Sequence, residues 1–160
     1  MARQVDINMI FGMSPATKPT FETALMVRDT CLCLHVQRAA RALARRFDDA
    51  LRPIGLTHGQ FSLMMSLNRP KPPDMGAVAL LLGIDRTTLT AALKPLQRRG
   101  LLKITADPAD RRSRIMTLTA KGRALLASAV PIWKKTHDHV ETLLPDGEPD
   151  RLRKDLDLVS

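Results

Sequence analysis

The segment "VALLLGIDRTTLTAALKPLQRRG", residues 78–100, leaves few folds open. An apolar helical run stops at Gly83, and a second helical run begins directly behind Asp85. Ala79, Gly83, Leu89 and Ala92 stand 4, 6 and 3 residues apart. A small residue in the first helix lets the second cross closely, and the glycine takes positive φ in the tight turn. Asp85 caps the second helix and suits the positive end of its dipole. The pattern predicts a helix-turn-helix. Its outward residues are Arg86, Thr87, Thr88, Thr90 and Lys94. Short hydroxyls and cationic donors near a helix N-terminus can reach base edges and phosphates in a major groove. An indifferent surface is the alternative. Three threonines within four residues argue against it, because Thr is a mediocre helix former. Pro95 removes a backbone hydrogen bond from the second helix and predicts a bend there.

Gly100 ends that helix, and "LLKITA" and "SRIMTLT" follow as two short strands. Leu102 and Ile104, then Met116 and Leu118, alternate with polar neighbours, so one face of the hairpin is expected to be buried. The turn "DPADRR" opens on Asp107-Pro108, and Asp110 can hold the following arginines by ion pairing. A ribbon directly after a helix-turn-helix makes a winged helix, with Arg111, Arg112 and Arg114 at its tip. Such a tip falls near a minor groove, whose negative potential favours arginine. A merely solvated turn is the weaker reading.

The other segments read as helices. From Asp29 to Leu51 the apolar residues Val36, Ala40, Leu43, Phe47 and Leu51 form one stripe, and Pro53 and Gly55 end it. Thr57 and Gln60 have capping-box spacing. "NRPKPPD" is a loop, and Asp74 caps "MGAVALLL". Thr119 caps "AKGRALLASAVPIWKKTHDHVETLL", which Pro131 should kink, and a last helix spans roughly 149–158. The fold expected is mainly α with a small β-hairpin wing: a winged helix-turn-helix plus a helical dimerisation region. Residues 1–28 are an N-terminal arm, 56–118 the DNA-binding domain, and 29–55 with 119–160 the helical region.

Composition agrees. Eight Met, four Phe, one Trp and no Tyr suit helix-on-helix packing better than a β-sandwich. The net charge of +9 is concentrated: residues 85–123 hold ten Lys/Arg against three Asp, or +7, whereas 124–160 hold five positive and seven negative residues, or −2. A concentrated basic region is the footprint of a nucleic-acid face. The longest apolar run, residues 75–84, has ten residues, and a membrane span needs about 20. No secretion-signal pattern opens the chain, so a cytoplasmic location is expected.

With "GLTHGQFSLM", "LLGIDRTTLTAALKPLQRRGLL" and above all "DPADRRSRIMTLTAKG", the chain resembles a MarR-family transcriptional regulator over about residues 30–145. The resemblance implies a homodimeric winged-helix repressor that binds a palindromic operator in double-stranded DNA. It also implies release by a small anionic or phenolic effector or an oxidant. Asp110 and Arg112 fall on the family's wing motif, and Arg86 to Thr90 on its recognition helix; Pro95 departs from the commoner pattern. His35, Arg38 and Trp133 are candidate neighbours of an effector pocket.

Cys31 and Cys33 stand near the start of the first long helix, where they would point about 200° apart, against an intrachain bridge. Some relatives sense hydroperoxides through a cysteine in this helix, aided by tyrosines that this chain lacks. Structural thiols are the alternative. No spacing of Cys and His matches a zinc site, and no cofactor is expected. A thiol peroxidase finds no nucleophile–base pair, while a DNA-packaging protein without sequence preference would share the basic face.

Overall fold

The computed structural model describes residues 18–108, 110, 113–145 and 148–160. The chain divides into two units, Met1–Ala40 and Arg41–Ser160. Seven helices and one hairpin occur among the described residues: α1 Phe21–Thr30, α2 Leu32–Leu51, α3 His58–Ser66, α4 Met75–Leu82, α5 Arg86–Arg98, β1 Leu102–Ala106, β2 Arg114–Leu118, α6 Ala120–Glu141 and α7 Glu148–Asp157.

The first unit differs from expectation. Residues 21–28, read as arm, are helical, and Thr20 caps α1 by accepting from the Thr23 amide at 3.2 Å. Cys31 then takes extended backbone, φ −71° and ψ 103°, and separates α1 from α2. The two cysteines therefore do not share one helix.

In the second unit α2 buries only Phe47 and Leu51 of its apolar stripe. Pro53 and Gly55 end it as expected, through a short 3-10 turn and a left-handed Gly55, φ 69°. The Thr57–Gln60 capping box forms at the head of α3. Helix α4, capped by Asp74, stops at Gly83, φ 62°. There the Gly83 amide donates to Leu80 and the Ile84 amide to Ala79, at 3.2 and 3.0 Å. This is the Schellman pattern, and it needs a left-handed residue. Helix α5 leaves at a bend of 101° to α4. Leu89, Leu93 and Leu96 of α5 are buried in the core. Pro95 lies inside α5, which runs on through it to Arg98 as one element.

Gly100, φ 68°, ends α5 as Gly83 ends α4: its amide donates to Gln97, and the Leu101 amide to Leu96. The chain turns into an antiparallel hairpin with Leu102 opposite Leu118, Ile104 opposite Met116 and Ala106 opposite Arg114. Leu102, Met116 and Leu118 are buried, as the alternation predicts. The proline-rich loop does more than connect. Its Pro73 carbonyl accepts from the Met116 amide at 3.3 Å, and Asp74 bridges Ile115.

Thr119 joins hairpin to α6. Its hydroxyl donates to the Gly100 carbonyl at 2.7 Å and accepts from the Gly122 amide at 3.0 Å. Gly122 is buried so tightly that a Cβ there would stand 1.9 Å from the Leu101 carbonyl oxygen. Leu126 and Ala129 of α6 complete the core. Overpacking of this kind costs about 1–3 kcal/mol or more. Gly122→Ala should therefore lower the melting temperature by about 10 °C in a chain of this size. Gly59→Ala, where a Cβ meets nothing within 4 Å, should leave it unchanged or slightly raised, read by circular dichroism.

Candidate nucleic-acid interface

The head of α5 is organised by Asp85. Its carboxylate accepts from the Thr88 amide at 2.8 Å and from the Thr88 hydroxyl at 2.6 Å. The Thr88 hydroxyl and amide together hold the Asp85 carboxyl below the usual carboxylate range. Thr88 is thus not the outward donor that its position suggests, because its proton is turned onto the cap. Thr90 behaves likewise, its hydroxyl donating to the Arg86 carbonyl at 2.7 Å. Both retain methyl groups and oxygen lone pairs. Among the described residues the Thr87 hydroxyl has no such bond.

Arg86, Thr87, Thr88, Thr90 and Lys94 are all exposed. Since Leu89, Leu93 and Leu96 point inward, Arg86 and Thr90 flank the apolar row, and Thr87 and Lys94 lie on the opposite side of the helix. The same side carries Ala91 and Arg98, also exposed. Sequence reasoning missed both, although continuing the step from Thr87 through Lys94 reaches them.

At the outer end of the hairpin Arg114 is exposed, as is Asp110 in the turn. The turn closes through the Asp107 amide donating to the Ser113 carbonyl, and the Ser113 amide to that of Asp110, at 3.1 and 2.8 Å. Arg111 and Arg112, and with them the ion pairing expected of Asp110, lie outside the described residues.

Not every cation in this basic stretch faces outward to a ligand. Arg99 donates to the Gly55 carbonyl at 2.8 Å, Lys121 to that of Arg99 at 2.9 Å, and Arg123 to that of Leu118 at 2.7 Å. These three brace the ends of neighbouring elements.

The ligand and redox candidates fall in different units. In the first, Cys31 is half-buried and Cys33 exposed, both as free thiols. The Gln37 side-chain amide donates to Cys33 Sγ at 3.1 Å. His35 and Arg38 are exposed on α2. In the second unit, Trp133 lines a cavity of about 550 Å³ with His58, Phe61, Met65 and Arg69. Its ring stacks on Phe61 at 5.9 Å and on His137 at 4.7 Å. His58, Phe61 and Arg69 escaped the sequence reading, since α3 and its following loop meet α6 only in the folded chain.

Among the described residues, no three His, Cys, Asp or Glu side chains converge on a metal-binding position. No single helix there is long and apolar enough to cross a membrane.

A family model described as MarR family matches residues 54–113. Transcriptional regulator HosA of Escherichia coli O111:H- is 38% identical over 79 residues, covering 48% of this chain and 57% of that protein. The chain thus matches little more than half the length of this curated relative. M. tuberculosis transcriptional regulator MosR, solved in complex with DNA, is 40% identical, with a TM-score of 0.73 over 81% of this chain and 92% of that one. The transcriptional repressor CouR, bound to a 23-mer DNA duplex, is 33% identical, with a TM-score of 0.74 over 84% and 94%.

The cap makes a pH prediction. Asp85 has a depressed pKa when folded, so its charge stabilises the fold fully above the unfolded value of about 3.9, and this is lost as pH falls through the folded value. Asn can still cap but carries no charge. Wild type should therefore melt above Asp85→Asn at about pH 6, and the gap should close toward about pH 2; parallel thermal melts check this.

Proposed function

The chain belongs to the MarR family, and from that premise we propose that it is a sequence-specific DNA-binding transcriptional regulator, working as a homodimer on a palindromic operator and repressing until an effector releases it. Its relatives and structural neighbours are transcriptional regulators rather than enzymes. The observation that carries the proposal is α5 itself. An Asp85-capped helix leaves α4 at 101° and presents Arg86, Thr87, Thr90 and Lys94 away from the core, with the hairpin directly behind it. In this reading α5 enters the major groove, where Thr87 and Thr88 meet bases and Arg86 and Lys94 meet phosphates or bases. Asp110, Arg111, Arg112 and Arg114 form the wing contact. Residues 56–118 are the DNA-binding part, and 29–55 with 119–160 pair two chains. A DNA-bound role places the work of the protein in the cytoplasm.

Exposed apolar side chains support the pairing. Phe21 is 77% and Leu32 62% exposed in the first unit, and Leu143 and Leu158 are exposed in the second. Side chains of this size are buried when a second copy covers them. The cavity beside Trp133 supports effector control: aromatic faces next to Arg69 suit a small aromatic anion. Trp133 is the one tryptophan of the chain, so its fluorescence reports occupancy directly. Oxidant control is a second reading, favoured by the exposed Cys33 thiol with the Gln37 donor on its sulfur.

Selection of bound duplexes from a random-sequence pool tests the main reading. An inverted repeat preferred by about 10³-fold or more over random DNA is expected; recovery of unrelated sequences would leave only a packaging role. On the selected duplex, Arg114→Ala should weaken binding and reduce the salt slope by about one. Thr87→Ala should change base preference with the slope intact. For effector control, a panel of aromatic carboxylates should quench Trp133 and release DNA together. Under peroxide, release by wild type but not by Cys33→Ser would transfer control to the thiol.

A further inference from the structure

Gly76 stands in the first turn of α4, and nothing in its backbone calls for glycine. The positive-φ glycines are Gly55, Gly83 and Gly100, and glycine is the poorest helix former after proline. The reason lies in the space beside it. A Cβ at residue 76 would stand 3.2 Å from Nη2 of Arg86 and 3.1 Å from Oδ1 of Asp74. Gly59, at the matching position of α3, has nothing within 4 Å, so glycine at 76 is not a demand of helix heads in general.

Of the two neighbours, Asp74 is the less able to move, because the same Oδ1 accepts from the Ala77 amide at 2.9 Å and caps α4. The guanidinium of Arg86 rides on a flexible side chain and is the group a methyl would displace. Arg86 is also the first residue of α5. Its charged end lies back over the first turn of α4, against a bare α-carbon and on the side of the Asp74 carboxylate, with which it makes no ion pair.

We propose that Gly76 is a positioning residue for DNA binding: the gap it leaves, bordered by Asp74, seats the Arg86 guanidinium and sets where that charge meets the duplex. This rests on the assignment of α5 as the DNA-reading helix. It adds a contribution from the first helix of the motif that acts through the second.

A double-mutant cycle tests it. Wild type, Gly76→Ala, Arg86→Ala and the double variant are titrated by fluorescence anisotropy against the duplex that wild type enriches from a random pool. Gly76→Ala should bind about tenfold more weakly, the low end for losing one well-placed side-chain contact to DNA. Its melting temperature should match or exceed that of wild type, since alanine is the better helix former. In the Arg86→Ala background the same change should cost nothing further. An equal loss in both backgrounds, or no loss with Arg86 present, would overturn the proposal. Undiminished binding by Arg86→Ala alone would overturn both the proposal and the underlying assignment of Arg86, and that single column separates the two failures. Should Gly76→Ala lower the melting temperature, Asp74→Asn serves instead. It keeps a capping oxygen, removes the charge beside the guanidinium, and should likewise weaken binding only when Arg86 is present.

Discussion

The inward row of α5, Leu89, Leu93 and Leu96, is the constraint from which the rest of the second unit follows. All three are fully buried, and each contributes about 1.5–3 kcal/mol by leaving water. Steps of four and three place them on one side of the helix. Thr87, Ala91, Lys94 and Arg98 are then obliged to face outward, with Arg86 and Thr90 at the margins of the apolar row, and no separate device is needed to expose a cationic surface. The helix ends are governed as firmly. Gly83 and Gly100 both take left-handed φ, and the same pair of terminal hydrogen bonds closes α4 and α5 behind them. A side chain at Gly83 would oppose the turn into α5, and one at Gly100 the turn out of it into the hairpin.

The hairpin depends on this arrangement more than on its own pairing. Two strands alone are marginal in water. Here Leu102, Met116 and Leu118 extend the core, while the proline-rich loop adds a third edge through Pro73 and Asp74. Thr119 ties the end of β2 to the end of α5, and Gly122 lets α6 lie directly on the Leu101 carbonyl. The run "LTAKG", one of the marks of family resemblance, thereby acquires a physical meaning: Thr caps the helix, and Gly is the only residue that fits against that carbonyl.

Much of the fold was legible because its signals are local. Caps at Thr57, Asp74, Asp85 and Thr119, stops at Gly55, Gly83 and Gly100, and the alternation of the two strands depend on neighbours a few residues away. The misses have equally definite causes. Helix α1 buries none of its residues, so no apolar stripe announced it. The break at Cys31 interrupts a run whose periodicity reads through unbroken. Thr88 and Thr90 were placed on the correct helix and exposed as expected, yet their hydroxyl protons turn inward to Asp85 and the Arg86 carbonyl. That choice belongs to the side-chain rotamer, which periodicity does not encode.

From residue 32 onward the amino-acid order alone settled which segments become helix, turn and ribbon, and which side of α5 is apolar, because spacing, capping and left-handed glycines act over one or two turns of chain. Only the folded chain decided what those elements meet. It brought Arg86 over Gly76, ten residues earlier, and set Trp133 of α6 between Phe61 and His137 beside Arg69. It also diverted three cations of the basic stretch onto backbone carbonyls. Such meetings join residues that are remote in order, or depend on a rotamer, and close packing resolves them only when every neighbouring element is in place.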